Sequence, residues 1–278
     1  MPTTIDKPVI HIKPLKGWQL VDFQELKQYR DLFYFLVIRD IKIRYKQTVL
    51  GGLWAIIQPF LGMVVFTLFF GNLARIPSDD IPYPIFSYTA LIAWTYFANT
   101  ISTAGNSLIA SSNLITKVYF PRIIIPLSPG LAGLLDFVIA FLVLIGMMFY
   151  YHIIPTAMIV LMPLLVFLMF LTASGVGMVL SALNAKYRDI KYTIPFLVQL
   201  WMFASPIVYP VSMIPEKYRI LYALNPMVGV IEGFRSVMLG TVAFPTMIVG
   251  ISAMVSSILF IIGLMYFKQM ERYFADII

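Results

Sequence analysis

The sequence predicts an all-α integral membrane protein of six transmembrane helices. An N-terminal amphipathic helix lies at the cytoplasmic interface, and short external re-entrant helices precede the last span. Three observations carry this. The 278 residues are 60% hydrophobic and 12% charged, where an ordinary soluble domain carries about 25% charged residues. The mean hydropathy is +0.87, and spans of about 20 residues leave little chain over for a soluble domain. Finally, the basic residues are unevenly placed. Of 20 Lys and Arg, sixteen fall in segments this topology puts inside and only Arg75, Lys217, Arg219 and Arg235 fall outside. That bias puts both termini in the cytoplasm.

Along the chain, residues 1–21 hold Pro2, Pro8 and Pro14 with little periodicity and read as a loosely ordered arm. Residues 22–48 show Leu26, Tyr29, Phe33, Leu36 and Val37 at helical spacing, with Arg39, Lys42 and Lys46 on another face. The apolar run is too short to span, so an amphipathic interface helix is expected. Residues 49–278 form the transmembrane domain, with spans at about 53–71, 84–110, 123–150, 154–183, 192–214 and 246–267. The fifth carries Pro195, Pro206 and Pro210, so its outer half is not a straight helix. Residues 215–245 are apolar but broken by Glu216, Lys217, Arg219, Glu232, Arg235 and Asn225-Pro226. Short re-entrant helices fit, tolerated where protein or water surrounds the broken backbone.

The chemistry that is missing is informative. No GxxxxGK[ST] loop occurs to cradle phosphates, nor GxSxG or HExxH. There is no cysteine, and His11 and His152 sit in no metal-ligand spacing, so no catalytic or metal residues are assigned. The N-terminus reads as no signal peptide, because residues 1–31 mix both charges and lack an early apolar run. Nucleic-acid binding is a poor fit, since the basic residues flank apolar spans. Asp136 is the one carboxylate placed deep in a span. A proton-coupled carrier would use it as a relay, while the plainer alternative is a hydrogen bond to a neighbouring helix. Glu232 and Arg235, spaced i,i+3, suit a local ion pair.

Aromatics make up 15% of the chain. Trp54, Phe66, Phe70, Trp94, Phe97, Trp201, Phe203 and Tyr209, with Gln58, are the candidates for a substrate channel, where flat faces suit the C–H faces of sugars. Interface belts and core packing are the competing use of such residues.

Several blocks in order resemble one family: Arg39-Asp40-Ile41-Lys42-Ile43-Arg44-Tyr45-Lys46-Gln47-Thr48-Val49-Leu50-Gly51, then Trp54-Ala55 and Gln58-Pro59, then Lys186-Tyr187-Arg188-Asp189-Ile190, then Trp201-Met202-Phe203-Ala204-Ser205-Pro206 and Leu224-Asn225-Pro226-Met227. Together they resemble the polysaccharide-type ABC-2 permeases, over nearly the whole chain beyond the first twenty residues. The resemblance implies the permease subunit of an O-antigen, capsule or teichoic-acid exporter in a bacterial inner membrane. Two such chains would pair with two copies of a separate ATPase subunit, which carries ATP and Mg, and the permease would bind no cofactor itself. Coupling to the ATPase falls to Asn113, Lys117, Lys186, Tyr187, Arg188 and Asp189 on the inner loops. Arg39, Lys42, Arg44 and Lys46 are candidates to meet a lipid pyrophosphate, or simply anionic lipid at the interface. An ABC-2 permease for a smaller lipid or a drug, and an ion-coupled carrier using Asp136, are the alternatives. An intramembrane enzyme would need clustered carboxylates or histidines, which the sequence lacks.

Overall fold

Uncharged runs rich in Leu, Ile, Val, Phe and Met satisfy their backbone in a bilayer only as helix. The computed structural model describes residues 23–46, 51–187, 189–240 and 243–274, and these are helical with no strand among them. In order they are α1 (Phe23–Gln28), α2 (Arg30–Lys46), α3 (Trp54–Phe66), α4 (Tyr83–Ala110), α5 (Ser112–Lys117), α6 (Ile124–Tyr150), α7 (Met162–Lys186), α8 (Ile190–Phe203), α9 (Glu216–Tyr222), α10 (Pro226–Leu239) and α11 (Thr246–Met270). The arm at 1–21 and Arg188 lie outside the described residues.

Among the described residues, four helical stretches are both long and apolar enough to cross a membrane: Gly51–Leu73, Ile124–Tyr150, Ala157–Lys186 and Thr246–Tyr273. The first is α3 flanked by a 3-10 turn, Gly51–Leu53, and a π-helical end, Thr67–Leu73. α4 is long enough, at 28 residues, but carries Ser87, Thr89, Thr95, Asn99, Thr100 and Thr103 along its length. It is the most buried of the long helices, packed against α3, α6, α7, α8 and α10. Several of its hydroxyls turn back onto its own carbonyls, as Thr89 does onto Ile85 at 2.8 Å and Thr103 onto Asn99 at 2.7 Å. The stretch expected at 192–214 is shorter as a helix. α8 has 14 residues, about 21 Å at 1.5 Å per residue, and the chain breaks at Ala204–Pro206.

Two cores organise the helices. The larger joins α4, α6, α7 and α10 through residues such as Phe86, Tyr88, Phe137, Met169 and Phe234. The smaller gathers Leu36, Leu108, Ile115, Ile124, Met178, Phe267 and Phe274. It therefore ties α2, α5, the start of α6 and the ends of α4, α7 and α11 together at one end of the molecule. α7 and α11 approach closely because glycines face each other. A Cβ on Gly175 would stand 2.8 Å from the Leu259 backbone, and one on Gly263 would collide with the Gly175 carbonyl. α10 ends on Gly240 at φ 69, a left-handed cap that glycine adopts without steric cost.

The leading helix differs from expectation. It is broken between α1 and α2, and α2 is not amphipathic. One face packs Leu36 into the smaller core. Its exposed residues mix Tyr34, Phe35 and Ile43 with Asp31, Lys42 and Lys46. The reason lies in its polar residues, several of which turn inward onto α6 instead of outward to water.

Candidate functional site

Five side chains pin α2 to α6: Asp40, Arg44 and Tyr45 from α2, with Ser128 and Asp136 from α6. Asp40 bridges Arg39 at 2.9 Å and accepts a hydrogen bond from Ser128 at 2.6 Å. Two turns further along α6, Asp136 receives Arg44 Nη1 on one carboxylate oxygen and the Tyr45 hydroxyl on the other. Ser128 and Asp136 are about 12 Å apart along the α6 axis, so α2 climbs the side of α6 and does not merely touch its end. Burial, followed by the hydrogen bond and charge of Asp136, holds the Tyr45 pKa well above its ordinary value.

This is the plainer of the two sequence readings of Asp136, a hydrogen bond to a neighbouring helix, here α2. Among the four basic residues nominated for a lipid pyrophosphate, Arg39 and Arg44 are engaged with carboxylates of the chain, while Lys42 and Lys46 are exposed.

The Arg44–Asp136 pair forms part of the wall of a cleft of about 280 Å³ between α2, α3, α4 and α6. Trp54 and Gln58 from the first turns of α3 line it, opposite Thr95, Tyr96, Asn99 and Thr103 from α4. Trp54 is 52% exposed. Asn99 Nδ2 approaches Gln58 Oε1 at 3.4 Å, a long hydrogen bond, and Thr103 donates to the Asn99 carbonyl at 2.7 Å. Thr95, Asn99 and Thr103 recur every four residues, a polar stripe on an apolar helix. The sequence reading did not use that periodicity, although it was there to be found.

The remaining aromatic candidates do not join this cleft. Phe66 and Phe70 meet edge to face at 5.5 Å and pack partly against the larger core. Trp94 and Phe97 take the competing use, core packing. They are 4% and 0% exposed, sealed among α4, α8 and their neighbours, so neither offers a face to a passing molecule. Phe97 stacks edgewise on Trp201 at 5.0 Å. Trp201 lines a separate apolar groove with Leu197, Leu200, Leu221 and Leu259. Phe203 is exposed at the end of α8, and the Tyr209 and Tyr222 hydroxyls share a hydrogen bond at 2.9 Å.

Two motif blocks prove to be one physical unit. Asn225 caps α10 by accepting from Met227 N at 3.1 Å, and it accepts Trp201 Nε1 at 2.9 Å on the same oxygen. Its amide nitrogen donates to Ala204 O at 2.9 Å and Ser205 Oγ at 3.0 Å. The break after α8 is thus held to the start of α10 by one asparagine. Beyond it, Arg235 pairs with Glu232 at 2.8 Å, donates to Ile207 O at 2.9 Å and lies 3.6 Å from the Phe86 ring centroid. Both charges are buried, so this pair belongs to the interior and not to an external surface.

At the opposite end, Asn113 and Lys117 on α5, Lys186 at the end of α7, and Tyr187 and Asp189 after it are exposed. Lys186 Nζ lies 5.1 Å from the Tyr187 ring centroid. Asn184 joins α7 to α4 beneath them, donating to Gly105 O at 2.9 Å and Asn106 Oδ1 at 3.1 Å. Arg122 donates to the side chain and carbonyl of Glu271, tying the start of α6 to the end of α11.

A fold of apolar helices with a polar cleft and an exposed loop end suits a transporter, and residues 31–239 match the family described as ABC-2 type transporter. The chain belongs to the ABC-2 type transporter family. Among its relatives, an O-antigen export system permease protein RfbA of Myxococcus xanthus is 32% identical over 217 residues, covering 77% of this chain and 82% of that one. One of the same description from Klebsiella pneumoniae is 30% identical over 250 residues, 89% of this chain and 95% of the relative. The polysialic acid transport protein KpsM of Escherichia coli is 23% identical over 241 residues, covering 85% and 92%. ABC-2 membership makes the chain a multi-pass membrane component of a transporter and implies an ATPase partner.

Proposed function

We infer that this chain is the permease subunit of an ATP-driven exporter of a lipid-linked surface polysaccharide. The observation that carries this reading is end-to-end similarity to O-antigen export permeases, over 89% of this chain and 95% of the relative. In this reading residues 49–278 form a six-span transmembrane domain in a bacterial inner membrane, with α4 and the α8–α10 region supplying the spans beyond the four long apolar stretches. Both termini face the cytoplasm. Two copies pair with two copies of an ATPase subunit that binds ATP and Mg.

Asn113, Lys117, Lys186, Tyr187, Arg188 and Asp189 meet that ATPase, because charged exposed loops are the surfaces through which a permease without a phosphate loop receives force. Binding and hydrolysis on the partner shift the permease pair between closed and open states by differential contact. Lys42 and Lys46 are placed to meet the pyrophosphate of the lipid carrier. Trp54 and Gln58 line the path at its cytoplasmic end, with Phe66, Phe70, Phe203 and Tyr209 further along. The proton-relay alternative is disfavoured by the occupation of both Asp136 oxygens by Arg44 and Tyr45.

Deleting the gene in its native cell tests this. The expected result is loss of surface polysaccharide, build-up of lipid-linked glycan at the inner leaflet, and recovery on complementation. Normal surface glycan in the deletion strain would overturn the reading.

A further inference from the structure

We propose that the cleft between α2, α3, α4 and α6 is a subsite for one uncharged sugar residue of the lipid-linked glycan. The proposal rests on the export reading above and adds what this cleft recognises. Its charges are the first argument. Among the described residues, the ionic groups lining it are Arg44 and Asp136, and they pair with each other. The described lining therefore has no net charge, and a phosphate entering it would meet a carboxylate as well as a guanidinium. An uncharged, hydroxyl-rich group carries no such penalty.

The polar lining is the second argument. Asn99 and Gln58 spend one donor and one acceptor on each other. That leaves the Gln58 Nε2 amide N–H groups and the Asn99 side-chain oxygen Oδ1 with no hydrogen-bond partner among the described residues. A donor and an acceptor side by side match adjacent sugar hydroxyls, which both give and take a proton. The match survives a flip of both amides, because one donor group and one acceptor group always remain. Placing such groups on transmembrane helices is costly unless water or a ligand supplies partners.

Shape is the third argument. The Trp54 indole is 52% exposed at the rim, a flat apolar face of the kind that packs against the C–H face of a pyranose while its edge stays wet. The volume of about 280 Å³ lies just below the roughly 300–1,000 Å³ of pockets for drug-sized ligands. It suits one sugar ring and not a chain segment.

The test uses the chain co-purified with its partner ATPase in proteoliposomes. The probes are a polyprenyl pyrophosphate without sugar, the same carrier with one neutral hexose, and the same carrier with one hexuronic acid. The readout is the concentration of each that half-maximally stimulates ATP hydrolysis. The neutral hexose carrier is expected to act at about tenfold lower concentration than the bare carrier, the worth of one or two net hydrogen bonds. The hexuronic acid carrier is expected to show no such gain.

In Gln58→Met with Asn99→Leu the ratio between hexose and bare carrier should fall to about one. Either substitution alone should bring it to about threefold, as expected from losing part of the hydrogen bonding, and the single variants decide the matter if the double does not assemble. Equal response of the unaltered complex to both carriers overturns the subsite and leaves the export reading standing, as does a tenfold ratio kept by the variants. No response to any carrier overturns the export reading and the subsite with it.

Discussion

Arg44 and Asp136, separated by 92 positions in the chain, form an ion pair that fastens α2 to the middle of α6. With Tyr45 on the second oxygen, the carboxylate is fully engaged. Both side chains keep roughly a quarter of their surface exposed, at 23% and 24%, so solvent weakens the pair relative to a dry one. Asp136→Leu should lower the thermal stability of the purified protein by about 1–2 kcal/mol, because it removes the carboxylate that both Arg44 and Tyr45 bind. Arg44→Leu combined with Asp136→Leu should recover much of that loss. Thermal unfolding in detergent, as a double-mutant cycle, reads the coupling, and additive losses would show that the two residues act independently.

Asn225 makes four hydrogen bonds that join α8, the break after it, and α10. Asn225→Ala should cost about 2–3 kcal/mol, combining a lost cap with unpaired groups on Trp201 and Ala204. The Trp201 fluorescence maximum should shift as its indole N–H loses its partner. A variant with unchanged melting and emission would show that the break is held by other contacts.

Arg235 and Glu232 are buried together, and Arg235 also holds the carbonyl of Ile207. Arg235→Ala should destabilise by about 3–5 kcal/mol by leaving a buried carboxylate without its partner. Arg235→Lys should rescue only in part, since one ammonium cannot reproduce the forked contacts to Glu232 and Ile207. Yield of folded protein after detergent extraction measures both.

How much of this could be read from the sequence follows the range of each interaction. α3, α6, α7 and α11 are legible because hydropathy is a local property. The break after α8 is legible from Pro206 and Pro210. The helix α4, Tyr83–Ala110, lies on the stretch read at 84–110, but its role as the central packed helix depends on partners far away in the chain. The Arg44–Asp136 pair and the burial of Trp94 and Phe97 were not legible, since nothing local distinguishes a core aromatic from one lining a channel. The Thr95–Asn99–Thr103 stripe was legible as a period and overlooked among stronger apolar signals. Asn225 stood in a recognisable block, yet its link to the Trp201 block required the fold.

The arrangement of helix ends makes a topological prediction. α5 and the ends of α4, α7 and α11 converge on the smaller core, and the six-span reading puts that end in the cytoplasm. In this cysteine-free chain, a cysteine at position 117 should label only from the cytoplasmic side and one at 217 only from outside. Labelling of both from the same side would exclude the six-span arrangement.

Export itself is most directly measured in proteoliposomes holding this chain and its ATPase partner, with labelled lipid-linked polysaccharide on the ATP-accessible face. The account predicts movement of the glycan across the bilayer that requires ATP and both subunits and persists when the proton gradient is collapsed. Movement by this chain alone, driven by a proton gradient, would contradict it, and so would no movement with ATP and both subunits present.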